Sequence, residues 1–138
     1  MIKTLIDAGP LIALFDKDDT YHKAVIKFMS SFKGLLVTTW PVITEVLHML
    51  DFNVNTQLDF LKWIEKGGLT IQSFSQEEVS RLIDLSQKYS NVPMDFADAT
   101  LILISELKNI KQIITLDSDF YIYKNIRKEF LENIFIMG

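Results

Sequence analysis

The stretch Pro93-Met94-Asp95-Phe96-Ala97-Asp98-Ala99-Thr100-Leu101-Ile102-Leu103-Ile104, followed by Gln112-Ile113-Ile114-Thr115-Leu116-Asp117-Ser118-Asp119-Phe120, decides how the rest of the chain is read. Over residues 96–107 apolar side chains occupy nearly every side of a helical projection. That pattern fits a helix at the centre of a packed domain better than one lying on its surface. Asp95 suits the cap of its first turn, after Pro93, and Asp98 lies three residues on, on a neighbouring part of the same face. Residues 112–116 are short, β-branched and apolar, as in a buried strand, and they run into Asp117 and Asp119. Carboxylates therefore stand at a helix start and at a strand end.

Upstream the pattern repeats. Residues 3–7 read as a strand, and Ala8-Gly9-Pro10 as a compact turn with Pro10 opening a helix to about residue 15. Asp7 then sits at a strand's carboxyl end, the edge where open α/β sheets bind ligands, although capping the helix is the plainer use of the same side chain. Asp16, Asp18 and Asp19 read as loop caps before a helix over 21–32. A strand at 35–38 leads through Thr39-Trp40-Pro41 into a helix to about residue 50. On it Glu45 either faces solvent or projects towards Asp7, and periodicity does not decide between them. His48, three residues later, is a peripheral candidate only. A helix over 55–66 stops at Gly67-Gly68, a strand follows at 69–73, and Ser75 to Glu78 has capping-box spacing for a helix to about residue 89. Residues 90–93 read as a turn, and the apolar tail 134–136 as a last edge strand. Alternating helix and strand signals predict an α/β fold: a mainly parallel central sheet covered by helices on both faces, in a single domain over 1–138.

The chain has 138 residues, enough for one real core. Its apolar runs are broken before the length of a membrane span, and an acid interrupts the first of them. The sequence thus predicts a cytoplasmic protein with no membrane partner. With no cysteine there is no disulfide, thiolate zinc site or cysteine nucleophile, so any metal would be held by oxygen or histidine, which favours Mg2+ or Mn2+. The formal net charge of −4 repels polyanions on average, so a nucleic-acid substrate needs a local basic surface. Lys17, Lys23, Lys27 and Lys33, and separately Lys124, Arg127 and Lys128, are the clusters available, and each reads first as a solvated face.

Asp7, Glu45, Asp98 and Asp117 are far apart in sequence but fall at element ends or helix faces that one sheet edge could bring together, with Asp95 and Asp119 close by. Four such carboxylates repel one another unless protons or cations compensate, so their natural use is to hold divalent metal, with phosphodiester hydrolysis as the chemistry that follows. The segments Asp95-Phe96-Ala97-Asp98-Ala99-Thr100-Leu101 and Thr115-Leu116-Asp117-Ser118-Asp119-Phe120 resemble the C-terminal half of a PIN domain, particularly of the VapC-type toxin endoribonucleases. With the upstream acids, the resemblance spans essentially the whole chain. It implies a PIN-like fold with Asp7, Glu45, Asp98 and Asp117 as the catalytic acids and Asp7, Asp98 and Asp117 as metal ligands. It implies supporting roles for Asp95, Asp119 and Thr115. The family often carries a hydroxyl residue just after its first acid, where this chain has Ala8 and Gly9. The resemblance further implies a magnesium-dependent endoribonuclease, the toxin of a toxin–antitoxin pair, that dimerises and is blocked by a cognate antitoxin. Two other classes compete: a non-catalytic PIN-like module binding RNA or protein, and a phosphatase of the haloacid dehalogenase type. The latter needs a second aspartate where Gly9 stands.

Overall fold

A computed structural model describes residues 1–92 and 94–135. Five strands, β1 (Lys3–Ile6), β2 (Leu35–Thr38), β3 (Thr70–Ile71), β4 (Gln112–Ile114) and β5 (Glu132–Asn133), form one sheet in the order β3-β2-β1-β4-β5, and every neighbouring pair is parallel. Successive strand residues point to opposite faces. Leu5 and Ile6 on β1 are both fully buried, as are Ile113 and Ile114 on β4, so both faces of the sheet are covered. The cover comes from α1 (Ala8–Phe15), α2 (His22–Ser31), α3 (Trp40–Met49), α4 (Val54–Glu65), α5 (Val79–Lys88) and α6 (Phe96–Lys108). Helix α1 packs on α2, α3 and α4, while α5 packs on α6. Among the described residues no helix is long and apolar enough to cross a membrane.

Local sequence explains the joints. Phe15 of α1 meets Phe60 and Trp63 of α4, each at 5.3 Å between ring centroids, so three aromatic rings fix the angle between two helices. Helix α4 ends where Gly67 takes φ +92, a conformation that L side chains rarely adopt. Helix α6 is buried without interruption from Ala97 to Ser105, as its all-round apolar sequence predicts. It stops at Asn109, a left-handed cap with φ 52. The Thr39 and Thr100 hydroxyls bond at 2.7 Å, tying the entrance of α3 to α6. Arg81 makes two hydrogen bonds to Glu106, at 3.0 and 2.6 Å, clamping α5 to α6.

Three boundaries differ from expectation. There is no turn at Ala8-Gly9-Pro10, because the Asp7 side chain accepts from the Ala8 backbone N–H and α1 starts at once. The Ser75 hydroxyl bonds the Glu78 carboxylate at 3.0 Å, but a short 3-10 turn, Gln76–Glu78, precedes α5. The edge strand falls at Glu132–Asn133, ahead of the expected 134–136, of which the described Ile134 and Phe135 lie outside it although the Ile134 N–H still reaches the Ile113 carbonyl at 2.9 Å. Pro93 and Ile136, which belong to the expected turn and tail, lie outside the described residues.

Candidate active site

Strand order reverses at β1: the chain moves outward through β2 and β3, then returns to lay β4 on the other side of β1. Loops leaving adjacent strands on opposite sides of such a point diverge and open a crevice at the carboxyl ends. Asp7 follows β1 there, and Thr115, Leu116 and Asp117 follow β4; the Asp7 N–H donates to the Ile114 carbonyl at 3.1 Å, holding the two exits together. A cavity of about 250 Å³ at this point is lined by Asp7, Gly9, Glu45, Asp95, Asp98 and Asp117 among others. One carboxylate oxygen each of Asp7, Asp98 and Asp117 lies within 4.8 Å of the other two.

Each acid is held by its own local device. Asp7, buried, accepts from the Ala8 N–H at 2.8 Å through one oxygen and from the Thr115 hydroxyl at 3.0 Å through the other. The same Thr115 hydroxyl oxygen accepts from the Asp117 N–H at 2.9 Å, so one small side chain sets two acids relative to each other. Asp117 in turn accepts from the Asp119 N–H at 2.9 Å, which shapes the loop after β4. Asp95 is the N-cap of α6, accepting from the Asp98 N–H at 2.7 Å, and the cap aims the first turn of a buried helix into the cavity. The amino ends of α1 and α6 both meet the cavity, and the positive ends of their dipoles favour negative charge there.

Electrostatics confirm how crowded these acids are. Burial pushes the Asp7 carboxyl up to about 6, with the Ala8 N–H and Thr115 hydroxyl opposing and the charges of Glu45 and Asp117 adding to the rise. Burial, then the charges of Asp7, Asp95 and Asp117, push Asp98 up to about 8. Glu45 is also raised, by burial and then by Asp95 and Asp117, although its side chain is exposed on α3. Among the described residues no lysine or arginine lines this cavity. A buried, cation-free set of oxygen donors of this kind suits a hard divalent ion: donors opposite each other on magnesium are about 4 Å apart.

The structure brings Asp7, Glu45, Asp95, Asp98 and Asp117 to one cavity, with Thr115 beneath it. Asp119 does not line it, and its charge bears instead on Tyr123. His48 is exposed and also stands apart from the cavity lining. The lysines at 17, 23, 27 and 33 are exposed, as are Arg127 and Lys128, and none of them lines the cavity. Two residues with no sequence signal belong to the site's support. Tyr123, fully buried, donates its hydroxyl to Asp98 at 3.3 Å, and burial, then the charges of Asp98 and Asp119, push that phenol up from its ordinary range. The Asn133 amide donates to the Thr115 carbonyl at 3.1 Å and accepts from the Thr115 N–H at 3.3 Å, continuing the β4–β5 pairing by side chain where the strand has ended. A one-dimensional pattern carries no trace of a bond across the sheet.

The PIN domain family profile matches residues 4–126. Over 115 residues the chain is 24% identical to "Ribonuclease VapC26" of Mycobacterium tuberculosis, an alignment covering 82% of this chain and 85% of that one. The crystal structure of Mycobacterium tuberculosis VapC20, described as a Sarcin-Ricin loop cleaving toxin, superimposes with a TM-score of 0.78 at 15% identity, covering 86% of this chain and 93% of the other.

Proposed function

Because the chain belongs to the PIN domain family, we propose that it is a metal-dependent endoribonuclease, the toxin of a type II toxin–antitoxin pair acting in the cytoplasm. The observation that carries this reading is the convergence of Asp7, Asp98 and Asp117, with oxygens within 4.8 Å of one another, at the switch point of a parallel sheet. The names of the two mycobacterial relatives, a ribonuclease and an RNA-cleaving toxin, support the substrate class.

On this reading Asp7, Asp98 and Asp117 hold Mg2+ or Mn2+. When bound, that ion polarises the scissile phosphate, lowers the pKa of attacking water and steadies the leaving oxygen. The protein's own part is positional. Thr115 fixes Asp7 and Asp117 together, the Asp95 cap and the Tyr123 hydroxyl fix Asp98, and the helix amino ends accept the phosphate's charge. Glu45, exposed at the cavity and raised above the usual carboxylate range, takes the proton of the attacking water. In that step a water oxygen bonds phosphorus, the P–O bond to the leaving nucleoside breaks, and its oxygen is protonated from solvent. The acidic pocket invites a basic side chain from a cognate antitoxin, and a homodimer is the assembly proposed.

The purified protein, freed of any partner, should cut cellular RNA in magnesium or manganese. Asp117→Asn should lower the rate at least a hundredfold by the scale of lost charge stabilisation, about 2.7 to 4 kcal/mol. Cutting that continues undiminished in excess chelator would overturn the mechanism.

A further inference from the structure

The acid cavity shares Leu116 and Asp117 with a second cleft of about 350 Å³. Two tyrosines from separate parts of the chain line it. Tyr21 precedes α2 and is 38% exposed, whereas Tyr121 closes the 3-10 turn Ser118–Tyr121 after β4 and is 61% exposed. Neither ring is stacked on another aromatic side chain among the described residues, in contrast to Tyr89, Tyr123, Phe15 and Phe60. Neither ring belongs to the aromatic clusters of the core. The Tyr121 ring is nonetheless held at its far end, because Asn133 donates to its hydroxyl at 3.3 Å while the same amide braces Thr115. No lysine or arginine lines the cleft among the described residues, so beyond the shared Asp117 it offers aromatic rings, hydroxyls and the Asn133 amide but no positive charge for a phosphate.

A flat, uncharged ring with polar edges is the ligand such walls fit. Unpaired bases are recognised in this way, by stacking on aromatic side chains and by hydrogen bonds to their edges. A base attached to a phosphate at the metal ion that Asp7, Asp98 and Asp117 would hold has to leave the acid cavity, and the Asp117 side of that cavity leads to these two tyrosines. We propose that the cleft between Tyr21 and Tyr121 is a base-binding subsite that receives an unpaired RNA base adjoining the scissile phosphate. The subsite rests on the nuclease reading for its substrate, and Tyr21, Tyr121 and Ser118 are its specificity-determining residues. A peptide side chain from a protein partner is the other occupant that an aromatic cleft accepts; it needs no neighbouring phosphate and would be indifferent to the acid cavity.

Two measurements test the subsite separately from the activity. In the first, Asp98→Asn protein in millimolar magnesium is titrated into a single-stranded RNA octamer carrying one 2-aminopurine, whose fluorescence reports stacking. Tyr21→Ala or Tyr121→Ala in that background should weaken binding about tenfold or more and relieve the quenching, whereas Tyr121→Phe and Tyr121→Trp, which keep a ring, should bind within about twofold of the parent. In the second, kcat/KM for RNA cleavage by otherwise wild-type protein should fall about tenfold or more in the Tyr21→Ala, Tyr121→Ala double variant, assayed well below the melting temperature of both proteins. Alanine variants that bind the octamer as tightly as the parent, or a double variant with unchanged kcat/KM, overturn the subsite. Should the octamer stack in a tyrosine-dependent way while the wild type cuts no RNA, the subsite stands and the nuclease reading falls.

Discussion

Replacing Asp98 by asparagine should make the metal-free protein more stable while disabling it. In the fold Asp98 is 5% exposed and its carboxyl is raised from 3.8 to about 8, first by burial and then by Asp7, Asp95 and Asp117. A folded pKa above the unfolded one means that the fold binds a proton the unfolded chain has released, so stability falls as pH rises between the two values. The contribution of Asp98 is complete below pH 3.8, declines steadily, and is spent once the pH passes about 8. At about 1.4 kcal/mol per pH unit, taking up that proton at pH 7 costs at most roughly 4 kcal/mol. Asparagine carries no such cost. Its oxygen still accepts from the Tyr123 hydroxyl, and the Asp95 cap on its N–H is untouched. In chelator at pH 7 the Asp98→Asn protein should therefore gain about 2 to 4 kcal/mol, or roughly 6 to 12 °C in melting temperature. The two curves should converge near pH 4 and separate up to about pH 8. Millimolar magnesium should narrow the gap, because the wild type gains RT ln(1 + [L]/Kd), about 2.7 kcal/mol at a hundredfold excess over Kd, and the variant gains less. Calorimetry across pH 4 to 9, with chelator and then with magnesium, reads both effects. A variant that melts below the wild type in chelator, or responds equally to magnesium, would refute the reasoning and leave Asp98 as a structural residue of α6.

Further outcomes follow from the support around the acids. Thr115→Val removes the bond to Asp7 and leaves the Asp117 N–H without its acceptor, which should cost about 1 to 3 kcal/mol in denaturant midpoint analysis, whereas Thr115→Ser should retain most of both stability and cleavage. Tyr123→Phe keeps the ring contacts with Tyr89 and Phe120 but loses the donor to Asp98, so metal affinity followed by magnesium-dependent melting should fall about tenfold, with little change in the metal-free transition. Lowering the pH through about 6 protonates Asp7, in addition to an Asp98 that already holds its proton in the metal-free fold below about 8, so the magnesium-induced rise in melting temperature should shrink steeply between pH 7 and pH 5; a rise that stays constant there would contradict the burial of Asp7.

How much of this was legible before folding depends on the range of the interaction. The apolar runs at 35–38 and 112–114 and the apolar stretch within the helix Phe96–Lys108 announce themselves locally, because a strand with two covered faces and a helix buried on all sides over most of its length each leave a nearly unbroken apolar run. Acids at element ends mark the candidate site in the same way. Ala8-Gly9-Pro10 misled because glycine and proline signal a turn on average, whereas here the side chain of Asp7 satisfies the first N–H and the helix tolerates both residues in its opening turn. The orientation of Glu45 and the roles of Tyr123 and Asn133 could not be read, since each depends on a partner from a different element. The last strand shifted to Glu132–Asn133 because edge pairing follows the hydrogen bonds of β4 and the Asn133 amide more than the hydrophobicity of the segment.

Strand β1 is flanked by β2 and β4, and its register with β4 pairs Thr4 with Gln112 and Leu5 with Ile113. A chain still growing on the ribosome can lay down β1, β2 and β3, but β1 keeps a bare edge until Gln112–Ile114 has been made, and non-local pairing of this kind forms slowly. Asp98 and Asp117 arrive in that same late portion, so no nascent fragment short of them carries an assembled acid cluster. On the proposed nuclease reading, the chain cannot act on RNA before that portion has been made. The waiting edge is also the natural place for a chaperone to hold it, or for two unfinished copies to aggregate.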